Sequence, residues 1–122
     1  MKLTDESRTA ANMVRSYEPG ELWIGEASYT RSCVIAAQTI VTDWPPQTID
    51  ELAPEHLDTV LALQPDVVIL GTGPRQHFPS AALMSKVLAR GIGFEVMDTA
   101  AACRTFNILL AEDRRAVAAL ML

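Results

Sequence analysis

The chain has 122 residues, 49% of them hydrophobic, and a formal net charge of −5. That length holds one core and no comfortable second domain, and an acidic chain with no basic stripe is repelled by phosphate, which excludes nucleic acids and anionic membrane surfaces as partners. No apolar run approaches the ~20 residues that span a bilayer, and the opening MKLTDESRTA lacks the hydrophobic centre of a signal peptide, so no membrane insertion and a cytoplasmic location are expected.

Residues 1–11 are polar and unpatterned and read as a flexible arm on a single domain of residues 1–122. Glu18-Pro19-Gly20-Glu21 is a turn signal: proline presets the first central φ, and glycine accepts the positive φ of the second. It predicts an antiparallel pair, Met13 to Tyr17 with Glu21 to Glu26. From Tyr29 to Trp44 the β-branched and aromatic content predicts strands at Cys33-Val34-Ile35 and Thr39-Ile40-Val41-Thr42, stopped by Pro45-Pro46.

Thr48-Ile49-Asp50-Glu51 matches a capping box, with Thr48 as N-cap and Glu51 reaching back. Pro54 can restart the helix in its own first turn. Leu57, Val60, Leu61 and Gln64 continue at helical spacing to Pro65. The remainder alternates: strand Val67 to Gly71, helix Ser80 to Arg90, strand Phe94 to Met97, helix Thr99 to Glu112, strand Ala116 to Met121. Ser80 caps the first of these helices, Leu83, Met84, Val87 and Leu88 form its apolar face, and Gly91 ends it. Continuous apolar strands joined by helical crossovers imply a parallel arrangement covered on both faces.

The stretch VVILGTGPRQHFPS, Val67 to Ser80, poses the question of a phosphate cradle. A dinucleotide fingerprint needs a third glycine, and Gln76 stands in its place; no lysine follows until Lys86; Pro74 removes an N–H donor. The glycines are read instead as an exit from a crowded strand end. Because ligands of open α/β sheets bind at the carboxyl ends of strands, the rim shared by Gly71, Thr72, Gly73, Asp98 and Thr99 is the candidate binding region. If the two strands run in one direction, their outgoing bends meet at one edge.

Asp98 or Thr99 caps the helix that follows. Cys103, Phe106, Asn107 and Leu110 share one face at i, i+3, i+4 and i+7, which sets Asn107 in an apolar stripe. A buried amide must be bonded, and loop backbone at Gly71 to Gly73 is the expected partner. The alternative is that Asn107, Thr105 and Arg104 line a recess for a ligand or a protein. Ile108-Leu109-Leu110 predict a helix covered on more than one side.

Cys33 and Cys103 lie far apart with no CxxC spacing, and are expected as buried free thiols. His56 and His77 lack ligand spacing and are expected on the surface. No constellation for nucleophilic or acid–base catalysis emerges, so no catalytic residue, metal site or cofactor is assigned.

Taken together, Gly71 to Gly73, Arg90 to Thr99 (RGIGFEVMDT), Ala101 to Leu109 (AACRTFNIL) and Glu112 to Leu120 (EDRRAVAAL) resemble the Mth938-like domain family, long catalogued as of unknown function. The matching positions are Gly71, Thr72, Gly73, Asp98, Thr99, Cys103, Thr105, Asn107, Glu112 and Arg114; Asp113 departs, since the family favours glycine there. The resemblance implies an α/β fold of three layers, with a mixed central sheet, a β-α-β-α-β C-terminal half and an added N-terminal antiparallel portion. It brings no established enzymatic activity. Because its members include an assembly factor of mitochondrial complex I, it implies a non-enzymatic protein-binding domain with a protein partner, such as an assembly factor for a respiratory complex. The competing reading is a small-molecule binder or unrecognised enzyme using the same rim. An exposed apolar sheet face would favour a homodimer.

Overall fold

The computed structural model describes residues 11–122, so the expected arm falls almost wholly outside them. In chain order the elements are β1 (Val14–Glu18), β2 (Glu21–Ile24), β3 (Ala27–Tyr29), β4 (Cys33–Ala36), β5 (Thr39–Val41), a 3-10 turn (Ile49–Glu51), α1 (Pro54–Leu61), β6 (Val67–Thr72), α2 (Ala81–Leu88), β7 (Gly93–Met97), α3 (Thr99–Ala111) and β8 (Ala116–Met121).

β1, β2 and β3 form a small antiparallel sheet. The Pro19-Gly20 turn joins the first two as predicted, with Gly20 at φ +89°. β3 was not anticipated: Ala27 and Ser28 carry weak strand propensity, and the bend that creates it depends on Gly25 at φ +58°. The larger sheet has the order β5-β4-β8-β6-β7. β6 runs parallel to both β7 and β8, whereas β4 is antiparallel to β8 and to β5. The sheet is therefore mixed, and the last strand of the chain occupies its centre.

Alternation along the central strands divides the core in two. Val67, Ile69, Ala116, Ala118 and Leu120 face α3 and the small sheet, packing on Cys103, Phe106, Leu22 and Ile24. Val68, Leu70, Val117, Ala119 and Met121 face α1 and α2, packing on Leu57, Val60, Leu61 and Val87 with Trp44. Sheet between two coverings gives three layers. Among the described residues both faces of the large sheet are covered.

Several local expectations are corrected. Thr48 makes no side-chain cap, and its segment closes only a 3-10 turn. Glu51 Oε1 accepts instead from the Gln47 N–H at 2.8 Å. Pro54, three residues on, starts a new helix, since its ring has no N–H to continue the old one. His56 is half-buried, not on the surface: its Nδ1 accepts from the Ala53 N–H at 3.0 Å, and its carbonyl accepts from buried Trp44 Nε1 at 3.1 Å. His77 is exposed as expected. Gln64 lies beyond α1 in a left-handed turn at φ +57°, so the helix ends a turn early. Leu88 (49% exposed) and Ile108 (59%) point away from the core, which narrows the apolar faces of α2 and α3.

Candidate functional site

β6 and β7 pair in parallel with Gly71 opposite Met97, so the bends that follow them leave the sheet on one edge. The rim expected from the sequence exists as geometry. What fills it is Thr99, the first residue of α3. Its N–H donates to the Gly73 carbonyl at 2.9 Å, and its Oγ1 accepts from the Gly73 N–H at 2.7 Å and donates to the Met121 carbonyl at 2.5 Å. One fully buried threonine thus ties the ends of β6, β8 and α3 together.

The two glycines have separate causes. A Cβ on Gly71 would sit 2.9 Å from Thr99 Oγ1 and 3.0 Å from both Thr99 Cα and Leu120 Cδ2, so glycine there permits the close approach of α3 to the sheet. Gly73 has open space around it and instead adopts φ +89°. Its N–H, the donor a phosphate cradle would need, is already bonded to Thr99.

The loop beyond is held from inside. Thr72 Oγ1 donates to the Arg75 carbonyl at 2.6 Å and accepts from the His77 N–H at 3.0 Å. Gln76, which occupies the missing third-glycine position, donates from Nε2 to the Val96 carbonyl at 2.9 Å. It thereby engages a main-chain group of β7, an edge strand of the sheet. Asp98 caps α3 as expected, its Oδ1 accepting from the Ala101 N–H at 2.9 Å, and Ser80 caps α2 through Leu83. Thr105 Oγ1 donates to Met97 Sδ at 3.4 Å.

Asn107 does not bond the glycine loop. Its Oδ1 accepts from the Val14 N–H at 2.8 Å while its Nδ2 donates to the Val14 carbonyl at 2.9 Å. A side-chain amide has the donor and acceptor pattern of a peptide unit, so Asn107 pairs with β1 much as a neighbouring strand would. Its i, i+4 position from Cys103 set the amide beside the core face of α3, where it is half-buried and not fully buried as expected; which backbone it met was a matter of tertiary placement. The rim therefore gathers Gly71, Thr72, Gly73, Asp98 and Thr99, whereas Asn107 and exposed Arg104 lie farther along α3, facing β1.

Between β1 and α3 lies a cleft of about 190 Å³, lined by Val14 to Tyr17 on one side and by residues including Cys103, Arg104 and Asn107 on the other. Sequence reasoning missed its β1 wall, because nothing local marks Tyr17 as a neighbour of α3. Burial raises the Tyr17 phenol above its ordinary range, Cys103 and Asp98 adding to the shift and Thr99 opposing it. Burial pushes the Cys33 thiol up to about 12. Cys103 is likewise pushed up to about 12, by burial first and then by Cys33, with Arg104 acting the other way. Neutral thiols of this kind are poor nucleophiles. Both cysteines are free and buried, as anticipated. Every fully buried side-chain polar atom among the described residues has a hydrogen-bond partner, and no group of three or more His, Cys, Asp or Glu among them could hold a metal.

A strand-end rim closed by one threonine, beneath a mixed sheet flanked by a small antiparallel one, defines a Mth938-like α/β domain. A solved Bordetella pertussis protein described as a Mth938-like domain superposes with a TM-score of 0.81 at 31% identity, covering 92% of this chain and 86% of that one. Residues 14–121 match the family described as proteins of unknown function DUF498/DUF598, and this chain belongs to that family. The NADH dehydrogenase (ubiquinone) 1 alpha subcomplex assembly factor 3 of Danio rerio is 31% identical across 99% of this chain and 70% of its own length. The chain spans 49% of the mouse counterpart. A Francisella tularensis protein named 13 kDa major membrane protein is 27% identical over 93% of this chain and 94% of its own length. Among the described residues no helix is long and apolar enough to cross a membrane.

The departure at Asp113 now has a physical reading. Asp113 takes φ +60° just after α3, the left-handed conformation that glycine adopts without strain and that aspartate tolerates better than most residues. The turn is kept despite the substitution.

Proposed function

We propose that this domain is a non-enzymatic, cytoplasmic protein-binding factor that serves the assembly of a respiratory NADH dehydrogenase. The observation that carries the reading is the 31% identity, over 99% of this chain, to an assembly factor of that name. The chemistry of the rim supports it: the groups that would act on a substrate are committed inward, with Thr99 and Thr72 bonded to backbone and Asp98 spent on a cap. Arg104, exposed farther along α3 on the helix that also carries Thr105 and Asn107, is offered outward for a partner.

The test is genetic and biochemical. Deleting the gene in its own organism should lower fully assembled NADH dehydrogenase on native gels, accumulate partial complexes, and be reversed by the wild-type chain. Normal assembly and normal NADH oxidation by the membranes of the deletion strain would overturn the proposal.

A further inference from the structure

We infer that the cleft between β1 and α3 is a binding site for a small carboxylate with a short apolar stem. The first observation is the wall that β1 presents. A regular strand points successive side chains to opposite faces, yet four consecutive residues, Val14 to Tyr17, line this cleft. The register between β1 and β2 shifts between Val14 and Ser16, a bulge that leaves Arg15 as the extra residue. Bulges re-aim side chains, and this one brings Arg15 and Ser16 onto the cleft together. The Arg15 guanidinium is also steadied, its Cζ lying 5.0 Å from the centroid of the Trp23 ring.

The second observation is charge. Arg104 lines the cleft from α3 opposite Arg15, and no lining residue is a carboxylate. This holds although residues 1–61, which include β1, carry 10 acidic and 4 basic groups. Neither arginine forms an ion pair among the described residues, whose bridges are Arg31 with Asp43, Lys86 with Asp58 and Arg115 with Asp66. Two arginines with no carboxylate partner among the described residues thus line the cleft, and the guanidinium is the group best matched to a carboxylate.

The third observation is the floor. Val14, Ala100 and the Cys103 thiol, neutral because burial holds its pKa high, contribute apolar surface. Asn107 is spent on both main-chain groups of Val14, and the Tyr17 hydroxyl donates to the Leu122 carbonyl at 3.0 Å, so neither competes for the anion. A volume of about 190 Å³ slightly exceeds the ~150 Å³ cavity that takes benzene, so a ligand of about six to eight non-hydrogen atoms fits it.

Titrating the isotope-labelled chain with pentanoate should shift the amides of Arg15, Tyr17 and Arg104 saturably, with half-saturation in the millimolar range. Replacing the exposed arginines, Arg15→Gln and Arg104→Gln, should weaken binding about tenfold each while leaving remote amides in place. Inorganic phosphate, lacking the stem, should bind more weakly than pentanoate. Absence of saturable shifts, equal shifts with neutral pentanamide, unchanged affinity in the double variant, or phosphate binding as tightly as pentanoate would each overturn the assignment.

Discussion

Gly71 and Gly73 stand two residues apart and answer to different constraints, steric for the first and conformational for the second. Gly71→Ala should cost about 1–3 kcal/mol by overpacking against Thr99 and Leu120, and Gly73→Ala about 1–2 kcal/mol through its positive φ. Urea midpoints separate the causes, because Gly73→Asn should recover part of the loss, asparagine tolerating left-handed backbone, whereas Gly71→Asn should deepen it. The buried thiols make a second prediction at this scale. Cys33 and Cys103 move from 9.0 to about 12 on folding, so the folded state holds their protons more tightly than the unfolded chain. Stability is therefore full below pH 9 and falls as pH climbs toward 12, by about 1.4 kcal/mol per pH unit for each thiol. Comparing Cys33→Ala with wild type in that window should show a shallower slope. Which residues were special was legible in the sequence; the close approach at Gly71 was not, since Thr99 is distant in the chain.

At the scale of elements, α3 does more than cover the sheet. Its Thr99 end closes the rim, its Phe106 face packs in the core, and Asn107 acts as a one-residue strand toward β1. Asn107→Leu removes both hydrogen bonds and strands the Val14 N–H and carbonyl, which should lower stability by about 1–3 kcal/mol. Hydrogen exchange should report it first at β1, with protection falling there before the large sheet; unchanged exchange at β1 would mean that the amide does not hold the strand. The elements from β6 onward were read nearly residue for residue, because their apolar runs, their caps at Ser80 and Asp98 and their breaker Gly91 are local signals. Around Thr48 the capping-box pattern closes only a 3-10 turn with no side-chain cap, and the helix begins at Pro54, where the sequence allowed a restart. Short β3 gave too few residues for any period to register.

For the whole molecule, strand order matters more than strand content. β8 is last in the chain yet lies between β4 and β6, and its six residues are all buried. Removing residues 116–122 therefore extracts the middle of the sheet and splits both halves of the core. Such a truncation should show no cooperative thermal transition, whereas an exposed edge strand could be lost with less damage; a sharp transition in the truncated chain would contradict the observed order. Non-local pairing of this kind also delays completion of the sheet until the chain end is available. The alanines of β8 serve the same arrangement. Ala116 and Ala118 leave room for Phe106 and the close passage of α3.

What the sequence determined by itself was local: the turn at Pro19-Gly20, the alternation of strands and helices after Val67, the burial of both cysteines, the caps, and a family likeness carried by short motifs. Periodicity, backbone freedom and capping act over a few residues, so a linear reading captures them. Only the tertiary structure decided that Thr99 fills the rim, that Asn107 meets Val14, and that Arg15 and Arg104 face one cleft. Those contacts join residues up to 93 positions apart, and no local signal encodes them, because they follow from the packing of whole elements around a sheet whose centre is the end of the chain.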